Sequence, residues 1–255
     1  MNNNVLLPAH GPIECGECFE GMPIQWDKTR KVFGAGNPPQ WRIENNPAAW
    51  GARAPRYLVL GFSKGPNQQM SGRPFDEVAF AGMRNQLTSI LVSLGLLSAG
   101  EHVEDKIRPT ETEWGFGSLV RCSIARWDAV SQDHLKTGGN ILVNATTDPE
   151  ASKVLRRCVE HFLTPAPNSL RVVIMLGNDQ RYVDACRRLF AAHDADIVRL
   201  NDVSYGNGRL LWVHTVHPKA QGSHLGDWLG RNMSTGQGRK GRMAEEAVRK
   251  WLSTE

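Results

Sequence analysis

The stretch SLRVVIMLGN, residues 169–178, decides the fold. A continuous apolar run without alternation is what a strand buried on both faces of a sheet requires. It stops at Gly177-Asn178, and from Asp179 to about His193 the spacing turns helical. An earlier stretch repeats the pattern. RYLVLGFS (56–63) passes through a polar Gly/Pro loop, KGPNQQMSGRP (64–74), into a predicted helix from about Asp76 to Leu97, where Val78, Met83, Leu87, Ile90, Leu91 and Leu94 share one face. A second strand is predicted over GFGSLVRCSI (115–124), and Asp148-Pro149 opens a helix carrying VLRRCVEHFL. A turn signal at Tyr205 to Gly208 leads into RLLWVHTVHP (209–218), and the amphipathic run MAEEAVRKWL (243–252) closes the chain. Strands alternating with helices predict an α/β fold, a three-layer αβα sandwich around a mostly parallel sheet of about four strands. Residues 1–55, rich in Pro, Gly, Asn and Trp, read as an extended N-terminal arm and 127–147 as a polar insertion, within one domain spanning 1–255.

With 255 residues and 40% hydrophobic content the chain can bury a full core. No apolar run approaches the roughly 18 residues of a membrane span, and the N-terminus lacks the basic and apolar regions of a signal peptide. The expected setting is cytoplasmic, with no membrane partner. The net charge of +4 favours a polyanionic partner only weakly; the cluster Arg231, Arg239, Lys240 and Arg242, interleaved with Gly, Ser and Thr, is either a phosphate track or a solvated basic turn.

Cysteines carry the clearest chemical signal. Cys15 and Cys18 form a C-x2-C pair, Cys122 ends the predicted second strand, and Cys158 lies in a predicted helix. Four thiolates from three distant places can converge on one metal site, and soft thiolates select zinc or an iron-sulfur cluster. A redox dithiol at Cys15 and Cys18, or four unrelated buried cysteines, are the competing readings. Cys186 is left over as a small buried apolar residue.

Taken in order, C-x2-C, the strand VLG, a glycine-proline loop, Gly72 to Phe75 (G-x-P-F), a long helix, SLVRC, a helix with the fourth cysteine, IMLGN and a strand ending in His217-Pro218 resemble the uracil-DNA glycosylase superfamily, nearest to its iron-sulfur branch, family four. The resemblance implies an enzyme that flips a nucleotide out of DNA and hydrolyses its glycosidic bond. It implies a [4Fe-4S] cluster on Cys15, Cys18, Cys122 and Cys158 with a structural role, zinc being the lesser alternative, and it implies a monomer that needs no nucleotide cofactor. His217 matches the histidine that stabilises the departing base, and Phe75 the ring on which the base stacks, with Phe62 and Ser118 beside it in the base pocket. Gly65 and Pro66 match a backbone turn toward sugar and phosphate, with Lys64 as a phosphate contact or, less favoured, a Schiff-base amine. The segment after His217 matches the DNA-entering loop, with Lys219, Gln221, Ser223 and Leu225 as contacts and Arg231 beyond it.

Three departures redirect the expected substrate. Gly61-Phe62-Ser63-Lys64-Gly65 replaces the family's first motif and lacks its acid, leaving Ser63, Asn67, Gln68 or Asp76 to hold the water. Ser118 stands where an asparagine reads the uracil edge, offering one hydroxyl in place of an amide pair. The 127–147 segment is extra. The leading expectation is therefore a DNA glycosylase acting on a modified pyrimidine, with glucosylated hydroxymethylcytosine of phage DNA, and hence antiviral defence, as one form. A conventional uracil-DNA glycosylase of base-excision repair, a noncatalytic DNA-binding protein of the same fold and a dithiol oxidoreductase are the alternatives.

Overall fold

The computed structural model describes residues 5–65, 73–136 and 141–254. Its centre is an eight-stranded sheet in the order β1-β4-β6-β5-β9-β12-β11-β10. The four middle strands, β6 (Trp114–Ser118), β5 (Tyr57–Gly61), β9 (Val172–Leu176) and β12 (Leu211–Thr215), run parallel. They are the parallel strands expected from the apolar runs. The sheet is larger than expected because antiparallel strands flank this centre on both sides: β1 (Gly11–Pro12) and β4 (Ala48–Gly51) beyond β6, and β11 (Ser204–Gly206) and β10 (Val198–Asn201) beyond β12.

Alternation along the middle strands divides the core into two. Leu58 and Leu60 of β5, Val173 and Met175 of β9 and Trp212 of β12 face the layer that contains α4 (Pro149–Leu163) and α5 (Gln180–Ala191). Val59, Val172, Ile174, Leu211 and Val213 face the opposite layer, built from α2 (Arg84–Ser93) and α7 (Gly236–Leu252). Helices on both faces are what continuous apolar strands demand. Asp148 caps α4 through the Glu150 and Ala151 N–H groups, and Asp179 caps α5 through that of Arg181.

Elsewhere the chain departs from expectation. The predicted helix 76–97 is two pieces, α1 (Phe75–Val78) and α2, because Phe80 (φ 53°) and Gly82 (φ 69°) turn the backbone left-handed between them. Burial of the Phe80 ring edge-on to Phe116, 6.0 Å between centroids, holds a conformation that a non-glycine residue rarely adopts. The stretch 115–124 is not one strand. It ends β6 at Ser118, turns through Leu119–Cys122, and starts β7 (Ser123–Asp128) in a second, antiparallel sheet of order β2-β3-β7-β8. That sheet takes β2 (Arg30–Phe33) and β3 (Trp41–Glu44) from the first 55 residues and β8 (Asp133–Leu135) from the predicted insertion, which also supplies α3 (Ile141–Thr147). The N-terminal segment is thus four short strands shared between two sheets, not an extended arm.

Candidate active site

Register places the carboxyl ends of the parallel strands side by side. Gly61 pairs with Ser118, Leu60 with Met175, and Thr215 with Leu176. The chain passes from β5 to β6 on one side and later to β9 on the other, so the order reverses at β5, and ligands of such sheets lie in the crevice outside that point. Ser118 and Thr215 end strands three spacings apart, about 14 Å, a rim wide enough for a nucleotide.

His217 stands on this rim, two residues beyond β12, with its side chain exposed. The Lys219 backbone N–H donates to its Nδ1 at 3.1 Å. An Nδ1 that accepts leaves the proton of the neutral ring on Nε2, which is then a donor. Desolvation by the surrounding chain, and then the charge of Lys219, lower its pKa below the ordinary imidazole value, which keeps the ring neutral near pH 7. His214 is a different group. It is fully buried on the α5 face, donates from Nδ1 to the Gly177 carbonyl at 2.9 Å and accepts from the Tyr205 hydroxyl at 3.2 Å, and burial lowers its pKa to about 4. Its Nδ1 thus ties β12 to the end of β9 and its Nε2 ties β12 to β11.

Ser118 is buried (4% exposed) at the end of β6, and Ser63 is half-buried beyond β5. Phe62 is buried against Tyr182 of α5, 6.1 Å between centroids, within the core. Phe75 opens α1 and stacks on Trp50 (4.9 Å, 19° between planes), whose Nε1–H donates to the Phe75 carbonyl at 3.0 Å, while the His10 ring meets its edge at 5.4 Å. Asp76, one of the candidates for holding water, accepts from His10 Nε2 at 2.6 Å. Gly65 is half-buried; Pro66, Asn67 and Gln68 lie outside the described residues.

Lys64 is not placed as a surface phosphate contact. It is 3% exposed, with its Nζ 5.5 Å from the Trp26 ring centre and 5.7 Å from that of Trp50. Burial lowers its pKa to about 7. Two indole faces replace water as partners of the amine.

Lys219, Gln221 and Ser223 are exposed, with the Ser223 hydroxyl donating to Asp227 at 2.9 Å at the start of α6 (His224–Trp228). Leu225 packs partly into the core, whereas Gln221 is exposed. Arg231 is exposed and lies against Gly226. Lys240 is committed elsewhere: its Nζ donates to the Asn178 carbonyl at 2.6 Å, and Asn178 donates to Gln237 at 2.7 Å, tying α7 to the end of β9. No motif or spacing marks this tie in advance.

The four cysteines expected to act together come from the N-terminal segment, the β6–β7 turn and α4, and all line one small cavity. An N–H group faces each sulfur and favours its thiolate: those of Glu17 at Cys15, the Arg157 guanidinium at Cys18, Asn46 at Cys122 and Arg121 at Cys158. Burial nevertheless raises all four pKa values, that of Cys158 to about 12, so as free thiols they stay protonated. Among the described residues no three His, Cys, Asp or Glu side chains come close enough to hold a single metal ion. The thiols line the cavity without three of them meeting at a point, and a set of four thiolates suits either zinc or an iron-sulfur cluster. Cys186 is fully buried in α5.

No protein-family model matches the chain, and no curated protein does. Among solved structures, that of wild-type SMUG2 from Pedobacter heparinus is similar over 80% of this chain and 77% of that one, at 12% identity and a TM-score of 0.37. A likeness at that level carries no argument about chemistry. Among the described residues no helix is long and apolar enough to cross a membrane.

Proposed function

We propose that the chain is a DNA glycosylase. It takes a nucleotide flipped out of DNA, holds the base over the ends of β6, β5, β9 and β12, and hydrolyses the N-glycosidic bond to leave an abasic site. The observation that carries this reading is the tautomer of His217 at the strand-end rim, in which the Lys219 N–H occupies Nδ1 and leaves the ring proton on Nε2. As the bond to C1′ breaks, its electron pair leaves with the base; a water oxygen bonds to C1′ and releases its proton to solvent or to the departing base. The base therefore passes through an anion, and a preorganised neutral donor stabilises that charge by roughly 3 to 4 kcal/mol. A histidine already held neutral brings its hydrogen bond without first shedding a proton. Ser63, two residues beyond β5, Asn67 or Gln68 would orient the water where the family's acid is missing.

The preferred base in this reading is a modified pyrimidine. Ser118 offers a single hydroxyl, smaller than an asparagine amide, and gives up one of two hydrogen bonds to the base edge; a good bidentate contact is worth about 1 to 3 kcal/mol of discrimination. Glucosylated hydroxymethylcytosine of phage DNA is a base of this class, and its excision would make the protein part of antiviral defence. Cys15, Cys18, Cys122 and Cys158 would hold a [4Fe-4S] cluster, which when bound ties the N-terminal segment, the β6–β7 turn and α4 together. Incubating the purified protein with uracil-containing, unmodified and phage-modified DNA, and detecting free base by mass spectrometry, tests the reading. Release of the modified base alone supports it, release of uracil alone makes the protein a conventional uracil-DNA glycosylase, and no release from any DNA overturns it.

A further inference from the structure

Arg121 is the largest cation enclosed in the fold, and its position is unusual. It sits in the β6–β7 turn between Val120 and Cys122, is 1% exposed, and none of its three guanidinium nitrogens has a hydrogen-bond partner among the described residues. Its Cζ stands 5.4 Å from the centre of the Phe162 ring of α4, and it lines the same cavity as the four cysteines. The site is built around it: a Cβ on Gly117 would fall 1.9 Å from its Nη1, so β6 keeps a glycine there to make room. A buried, unpaired charge costs several kcal/mol unless an opposite charge offsets it. Besides the four thiols, the cavity is lined by His161, by Arg157 and by the exposed carboxylate of Glu17, and none of these hydrogen-bonds the Arg121 guanidinium.

We infer that Arg121 is the buried counter-ion of an anionic thiolate-bound metal cluster, and that it sets the cluster's retention and redox balance. This rests on the cluster reading given above. Four thiolates on a [4Fe-4S] core leave a net negative charge; Arg121 meets it from the closed side of the cavity and Arg157, facing Cys18, from the exposed side. Net charge near a cluster and hydrogen bonds to its sulfurs set its potential. A cation held against it favours the reduced, more negative state.

The test uses anaerobically purified full-length protein: wild type, Arg121→Met, Arg121→Gln and Arg121→Lys. Iron and sulfide per chain, the visible absorption of the cluster, circular dichroism and the one-electron potential are measured. Removing the charge is expected to shift the redox equilibrium at least tenfold toward the oxidised form, which is 59 mV lower for one electron. It is also expected to speed iron loss to a chelator about tenfold, and Arg121→Lys is expected to restore most of both. If Met and Gln variants fail to fold while Lys folds and keeps the wild-type potential, a charge requirement is likewise supported. A cluster-bearing Met or Gln variant whose potential moves less than twofold in equilibrium terms overturns the inference and leaves the cluster reading standing. A Lys variant that fails with the neutral ones also overturns it, since shape rather than charge would then be required. Wild-type protein without iron and sulfide removes the cluster reading itself, and the inference with it.

Discussion

Replacing Gly117 by alanine tests the packing on which the β6–β7 turn depends. Gly117 lies one residue before Ser118, and its added Cβ would meet Arg121 Nη1 at 1.9 Å, Cζ at 3.1 Å and Nη2 at 3.8 Å. The guanidinium must retreat by more than about 1 Å to reach ordinary contact, yet it is enclosed and the Phe162 ring covers one face. Overpacking of this kind costs about 1 to 3 kcal/mol, which in a domain of this size lowers Tm by roughly 2 to 12 °C. The assay is thermal unfolding of Gly117→Ala, with Gly208→Ala as control, since a Cβ there meets nothing within 4 Å. Pairing Gly117→Ala with Arg121→Met should cost less than the sum of the two single changes, because the methionine side chain yields where the fork cannot. A Gly117→Ala protein that melts with the wild type, or strict additivity in the pair, refutes the placement of Arg121.

Lys64 titrates near pH 7 in the folded chain and at the ordinary 10.5 when unfolded, so the unfolded state binds its extra proton between those values and the Lys64 contribution to stability rises with pH across that window; Lys64→Met should remove that contribution, measured as the difference between wild-type and variant urea midpoints against pH. Because the folded pKa of His217 lies below 6.5, the single-turnover excision rate should stay level as pH falls through 6.5 and decline only below it, as protonation of Nδ1 ends its bond from Lys219 N–H. A decline already centred above 6.5 contradicts that assignment. Asp148→Ala removes the side chain that caps α4 through Glu150 and Ala151, and should cost about 1 kcal/mol in equilibrium unfolding.

The parallel centre of the fold was legible because strands buried on both faces write continuous apolar runs: SLRVVIMLGN contains β9, and RYLVLGFS contains β5, each followed by its loop. The capped helices α4 and α5 were legible for a similar local reason, an aspartate at each start. What escaped was non-local. Strands of two to four residues, such as β1 to β4, are too short to show a period, and the break between β6 and β7 is made by two different sheets, not by a turn residue. Helix α7 begins seven residues before the amphipathic run because Gly238 and Gly241 pack on the carbonyls of Asn232 and Trp228, where a Cβ would stand 2.2 and 2.3 Å away. Glycines required by close approach read in sequence as a loop. At the site, His217 was legible from His-Pro at a strand end, but its tautomer is set by a backbone N–H. Lys64 read as a surface cation because nothing nearby in sequence announces that Trp26 and Trp50 enclose it. Arg121 did leave a signal, a lone charge within the otherwise apolar Leu119-Val120-Arg121-Cys122, which the structure buries.

The most direct test of the central claim is the single-turnover rate of abasic-site formation by wild type and His217→Ala, on uracil-containing DNA and on DNA with modified cytosines, with folding of the variant checked by circular dichroism. Loss of one preorganised donor predicts a fall of roughly 100- to 1,000-fold on the preferred DNA. A folded His217→Ala protein that forms abasic sites within a few-fold of the wild-type rate, or a wild type that forms none on either DNA, contradicts the account.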